Sequence, residues 1–71
     1  MKKLIQVKGM SCAHCVMHVT EALKEVPGVT DVVVSLKDGT ATVNMNAPVT
    51  NEVLAAAITD VGYTPGPVTD L

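Results

Sequence analysis

Phenylalanine, tryptophan and arginine are absent from the chain, and Tyr63 is its one aromatic residue. An interior without rings has to be filled by Val, Leu, Ile, Ala and Met, and the abundance of valine favours strands. Five lysines against seven carboxylates give a formal charge of −2. No basic run is present to neutralise a phosphate backbone, so nucleic acid is not an expected partner. No apolar run approaches the ~20 residues that span a bilayer, so no direct membrane insertion is expected. Met1-Lys2-Lys3-Leu4-Ile5 imitates the charged front of a signal peptide, but Gln6, Lys8 and Gly9 interrupt the apolar stretch. The sequence therefore predicts a cytoplasmic protein. At 71 residues and 7.4 kDa it is a single domain, residues 1–71, near the size where only about 60% of the unfolded surface is buried.

Cysteine is scarce too, and its placement carries the chemistry. The two cysteines, Cys12 and Cys15, stand two residues apart where a strand pattern gives way to a helix pattern. In a reducing cytosol, such a pair reads as metal-binding or redox-active rather than as a structural staple. With no second Cys-x-x-Cys, the pair falls short of the four ligands of a closed zinc site. Two thiolates match Cu(I), which soft sulfur donors select.

The rest of the chain alternates between two periodicities. Residues 3–8 read as a strand with Ile5 and Val7 inward. From Ala13 to Val26 the apolar positions 15, 16, 19, 22, 23 and 26 form one helical stripe, capped by Ser11 or Cys12 and stopped at Pro27-Gly28. Cys15 falls in the first turn, where free N–H groups and the helix dipole favour a thiolate. Residues 29–36 are a second strand, with Val32, Val34 and Leu36 on one face. Lys37-Asp38-Gly39 is a hairpin turn, and Thr40–Met45 a third strand with Ala41, Val43 and Met45 inward. Thr50 is the expected N-cap of a second helix, with Val49 and Leu54 in staple positions. That helix runs to about Val61 and is expected to bury Val53, Leu54, Ala57, Ile58 and Val61, with Gly62 as its stop. Residues 63–68 contain Pro65 and Pro67, whose missing N–H groups would share one side, which suits an edge strand. The order β-α-β-β-α-β predicts an α+β, ferredoxin-like sandwich: a four-stranded antiparallel sheet, last strand beside the first, with both helices on one face.

Gly9-Met10-Ser11-Cys12-Ala13-His14-Cys15, with the helix that follows and the later Gly62-Tyr63, resembles the heavy-metal-associated domain family over essentially all 71 residues. Its Gly-Met-x-Cys-x-x-Cys signature between strand and helix is far more specific than a bare cysteine pair. The family comprises small copper chaperones, N-terminal domains of copper- and zinc-transporting P-type ATPases, and the periplasmic mercury-binding protein. The resemblance implies Cys12 and Cys15 as metal ligands, Met10 packed beneath the loop and Tyr63 beside the site. A tyrosine after the second helix and a histidine between the cysteines are similar to the bacterial copper chaperones. The missing phenylalanine departs from the pattern and bears on core packing, not on the sulfurs.

Around the two cysteines the roles stay open. His14 is a candidate auxiliary ligand, to its own or a second copy's metal, or a solvated residue that tunes the sulfurs, the last being favoured. His18 reads as surface. Met10 is a loop anchor before it is a thioether ligand, and Met17 and Met45 read as packing residues. Tyr63 is either a plug for an aliphatic core or a shield for the site. Lys2, Lys3, Lys8 and Lys24 form a solvated surface or a small docking patch.

The expected function is a cytosolic, non-enzymatic copper chaperone. It would carry Cu(I) on Cys12 and Cys15 and pass it by thiolate exchange to the metal-binding domain of a copper-transporting P-type ATPase, with a copper-bridged homodimer as an accompanying expectation. Zn(II) or Hg(II) as the cargo, or an N-terminal ATPase domain as the setting, are the alternatives. The Met1-Lys2-Lys3 start and the ending soon after the last strand favour a free-standing protein. A thiol-disulfide oxidoreductase is remote, because no aromatic or proline occurs from Met10 to Val16 and the element order is not that of thioredoxin.

Overall fold

Alternating apolar and polar residues commit more than a third of the chain to strands, and two short amphipathic helices bury what the strands leave open. The computed structural model describes all 71 residues. Strand β1 (Lys2–Lys8) leads into helix α1 (Ala13–Lys24). Strands β2 (Val29–Ser35) and β3 (Thr40–Met45) form a hairpin, and helix α2 (Asn51–Asp60) and strand β4 (Thr64–Asp70) complete the chain. The four strands form one antiparallel sheet in the order β2-β3-β1-β4, which is the ferredoxin-like arrangement expected.

Register explains the core. Val34, Ala41, Ile5 and Val68 lie opposite one another across all four strands. Ala41 and Ile5, in the middle of that row, are fully buried, whereas Val34 and Val68 on the edge strands are half-buried. Above the sheet, Val19 and Leu23 of α1 and Leu54 and Ile58 of α2 are spaced four apart and fully buried, joining twelve aliphatic and Met side chains in one cluster. Helix α1 packs over β2, α2 over β4, and the helices pack against each other. No polar side chain is buried in this core.

The caps follow local chemistry. Thr50 accepts a hydrogen bond from the Val53 N–H at 3.3 Å, as the sequence predicts, and Val49 and Leu54 both enter the core. Cys12, not Ser11, is the N-cap of α1, and it makes no side-chain capping bond, which leaves its sulfur free for other partners. Helix α1 ends at Lys24, and Val26 follows as a tightened turn whose N–H bonds to the Leu23 carbonyl while its side chain stays in the core.

Four expectations need correction. Leu36 is not on the inner face of β2: the strand ends at Ser35, whose carbonyl accepts from Gly39 N–H at 2.9 Å, and Leu36 sits in the turn, 42% exposed. Val53 and Val61 are 45% and 36% exposed, because α2 has room to bury only the stripe through Leu54 and Ile58. Met17, taken as a packing residue, is 56% exposed. Strand β4 continues to Asp70, and Pro65 and Pro67 do not simply alternate: Val7 pairs with Pro65 but Ile5 with Val68, so one extra residue bulges opposite Gln6. Gly66 occupies the bulge because a Cβ there would lie 2.9 Å from the Gln6 Cβ.

The two flanks of α2 therefore differ in energetic weight. Leu54→Ala is expected to lower unfolding free energy by about 2–5 kcal/mol, whereas Val53→Ala, one residue earlier, should change it by no more than about 0.5 kcal/mol. Urea unfolding of both variants reads this directly, and equal losses would reverse the assignment of the buried stripe.

Candidate metal site

Strand β1 ends at Lys8, paired with Thr64, so the loop leaving β1 and the turn entering β4 meet at one end of the sheet. Gly9 starts the loop with φ +98°, a conformation that side-chain-bearing residues rarely adopt, and a Cβ there would lie 3.5 Å from Tyr63 Cδ1. The chain thus turns closely beneath the tyrosine ring. Met10 is half-buried and packs against the core, which anchors the loop from below. Cys12 is extended (φ −156°, ψ 171°), and its carbonyl accepts from the N–H groups of Cys15 at 3.1 Å and Val16 at 3.3 Å, closing the first turn of α1.

That turn brings the sulfurs together. Sγ of Cys12 and Sγ of Cys15 are 3.2 Å apart, well beyond the roughly 2.05 Å of a disulfide, and both thiols are free. Cys12 is exposed and Cys15 half-buried, so the pair opens to solvent on one side. Neither histidine nor any carboxylate joins them: no group of three or more Cys, His, Asp or Glu side chains assembles anywhere in the structure. His14 points into solvent between the two cysteines in sequence without completing a ligand cluster, and His18 is exposed one turn further on.

Tyr63 is half-buried against the aliphatic core, the first of the two roles the sequence left open for it. Its backbone is set by the end of α2, where Tyr63 N–H bonds to the Ile58 carbonyl at 3.2 Å and Gly62 N–H to Thr59 at 3.0 Å. Its ring packs on the aliphatic core, and its hydroxyl lies near enough to the Cys15 sulfur to favour the thiolate. Hydrogen bonding from the Ser11 backbone, then from Tyr63, then from the Cys12 thiol lowers the Cys15 pKa from 9.0 to about 6, against a partial desolvation that raises it. The same bond raises the Tyr63 pKa, because the phenol must keep its proton to donate it. A lowered thiol was expected from the helix start; the parts played by the Ser11 backbone and by a residue 48 positions away were not. The family resemblance places Tyr63 beside the site, without assigning it this effect on the sulfur.

The acidity can be read from alkylation of the apo protein. Iodoacetamide labelling of Cys15, mapped by mass, should reach half its maximal rate near pH 6, and Tyr63→Phe should move that midpoint upward. A midpoint near pH 9 in the unaltered chain would sink the assignment. Because the folded pKa lies below the unfolded one, Cys15 ionisation adds stability as pH rises from about 6 toward 9 and that gain is lost as pH falls through about 6. The Tm difference between the unaltered chain and Cys15→Ser should follow that window.

Comparison with known proteins agrees with this geometry. The heavy-metal-associated domain family matches residues 4–64. The COP-associated protein of Helicobacter felis is 40% identical over 63 residues, covering 89% of this chain and 96% of that protein. Copper-transporting ATPase 2 of Homo sapiens is 44% identical over 61 residues, 84% of this chain but 4% of the transporter. Mercuric reductases also match, and of all these larger enzymes and transporters the chain spans only 4–13% of the length. The solved structure of the CopZ metallochaperone superimposes with a TM-score of 0.87 at 34% identity, over 93% of this chain and 100% of that one. A free cysteine pair at the head of α1, on a βαββαβ sandwich, is thus set in a chain that belongs to the heavy-metal-associated domain family.

Proposed function

We propose that the chain carries Cu(I) on Cys12 and Cys15 and passes it to a partner by thiolate exchange. The observation that supports this reading best is the pair of free sulfurs 3.2 Å apart on an open surface with no third donor beside them. An ion that requires four ligands is left unsatisfied there, whereas soft, low-coordinate Cu(I) is suited to two thiolates. With metal–sulfur bonds of about 2.3 Å, as for zinc, two sulfurs in line on one ion stand at most about 4.6 Å apart. The Cys12 side chain is exposed and makes no capping hydrogen bond that would hold it at 3.2 Å from its partner.

Transfer then follows from under-coordination. A thiolate of the incoming partner forms a third bond to the copper and one bond to Cys12 or Cys15 breaks; the partner's second thiolate then binds as the remaining bond to this chain breaks, and the ion changes owners without changing oxidation state. Tyr63 donates its hydrogen bond to the released Cys15 thiolate, which stabilises it as the group that leaves. The copper-transporting ATPases among the relatives make a second cysteine pair, on the metal-binding domain of such a transporter, the partner of choice. The same openness supports a homodimer bridged by copper, and the need for reduced sulfurs supports work in the cytoplasm. Nothing in this exchange calls for an enzyme active site, and His14 contributes by proximity rather than as a required ligand.

A second cargo, Hg(II), is favoured by one observation, the match to mercuric reductases, since it too is soft enough for two sulfurs.

Cys12→Ser or Cys15→Ser is expected to lower Cu(I) affinity at least a hundredfold in competition with a Cu(I) chelator while the circular dichroism spectrum stays native. His14→Ala should change it less than tenfold. Copper should reach a partner cysteine-pair domain faster than it dissociates spontaneously; transfer no faster than the off-rate would remove direct exchange. Tighter retention of Hg(II) in mixtures held at cellular thiol levels would favour the second cargo.

A further inference from the structure

Helix α1 carries two histidines, His14 and His18, and both are exposed. Taken one at a time they read as a loop-flanking residue and a surface residue. Together they are a His-x-x-x-His pair. Four residues along an α-helix return to the same face, with Cβ atoms about 5–6 Å apart, and this is a recurrent ligand spacing for a metal ion. Glu21 and Glu25 continue the same stripe, since at about 100° per residue all four positions fall within a band of roughly 60°. His18, Glu21 and Glu25 also border the groove between α1 and α2, and Asp60 faces them from α2. None of these carboxylates is in an ion pair; the one salt bridge joins Lys3 to Asp70. Lys24, the one cation of α1, lies about a quarter turn off the stripe.

We propose that His14 and His18 form a second cation site, for a divalent ion that favours imidazole, such as Cu(II) or Zn(II). Two neutral imidazoles are the protein donors, and water fills the remaining positions, because no third donor stands with them. The donors are nitrogen where Cys12 and Cys15 offer sulfur, so the two sites sort ions by softness. Glu21, Glu25 and Asp60 supply an uncompensated negative field that draws a cation toward the pair. The inference is independent of the cargo of the cysteines.

The test uses the full chain carrying Cys12→Ser and Cys15→Ser, checked for native circular dichroism, or the unaltered chain alkylated at both cysteines should the serine variant fail to fold. Zn(II) titration followed by NMR should move the ring protons of His14 and His18 together with one ion per chain. Calorimetry should show Cu(II) binding more tightly than Zn(II), and Mg(II) should leave the ring protons unmoved. His14→Ala or His18→Ala should each weaken Zn(II) binding at least tenfold. Adding Glu21→His to His18→Ala keeps two histidines at the wrong pitch and should not restore it. A loss smaller than tenfold from either single change, recovery in the repositioned pair, or an equal response to Mg(II) overturns the proposal.

Discussion

The antiparallel pairing of β1 with β4 is the constraint on which the site depends. It places Lys8 opposite Thr64, and so delivers Tyr63 to the loop that carries the cysteines. Without that pairing the Cys-x-x-Cys stretch would be an exposed loop ahead of a short helix, with no phenol near its sulfurs. With it, Gly9 turns beneath the tyrosine ring, Met10 is drawn against the core, and Cys15 comes under the influence of a phenol from the opposite end of the chain. The bulge in that pairing requires glycine at position 66, because a Cβ there would collide with Gln6.

The far end of the sheet is closed by different means. Lys3, whose partner in β3 is the buried Val43, sends its ammonium to the Val49 carbonyl at 3.1 Å and to the Asn51 side chain, and approaches Asp70 at 3.8 Å. A lysine that in sequence reads as part of a solvated patch thus ties the start of β1 to the head of α2 and to β4. The result is a division of labour along the sheet. One end is fastened by main-chain and lysine hydrogen bonds, and the other keeps two sulfurs reactive by surrounding them with donors while leaving them uncovered.

Reactivity and stability are linked at that reactive end. The influences that lower the Cys15 pKa favour the thiolate, which is the nucleophilic and metal-binding form of a cysteine. They also make the apo fold depend on pH through the same residue. The open side of the pair leaves both sulfurs within reach of solvent and solutes.

Local patterns were enough to determine the element order, the inward faces of β1 and β3, the Thr50 cap and the cysteines at the head of α1, because each follows from periodicities of two or 3.6 and from turn residues next to one another in sequence. The same patterns overstated burial at Leu36, Met17, Val53 and Val61, since periodicity says which residues share a face but not how much of that face the rest of the chain can cover. The influence of Ser11 and Tyr63 on the Cys15 pKa, the Gly66 bulge and the fastening of Lys3 were decided by the tertiary structure alone. Each depends on distance between residues far apart in the chain or on the course of the backbone, and neither is written in the spacing of neighbouring residues.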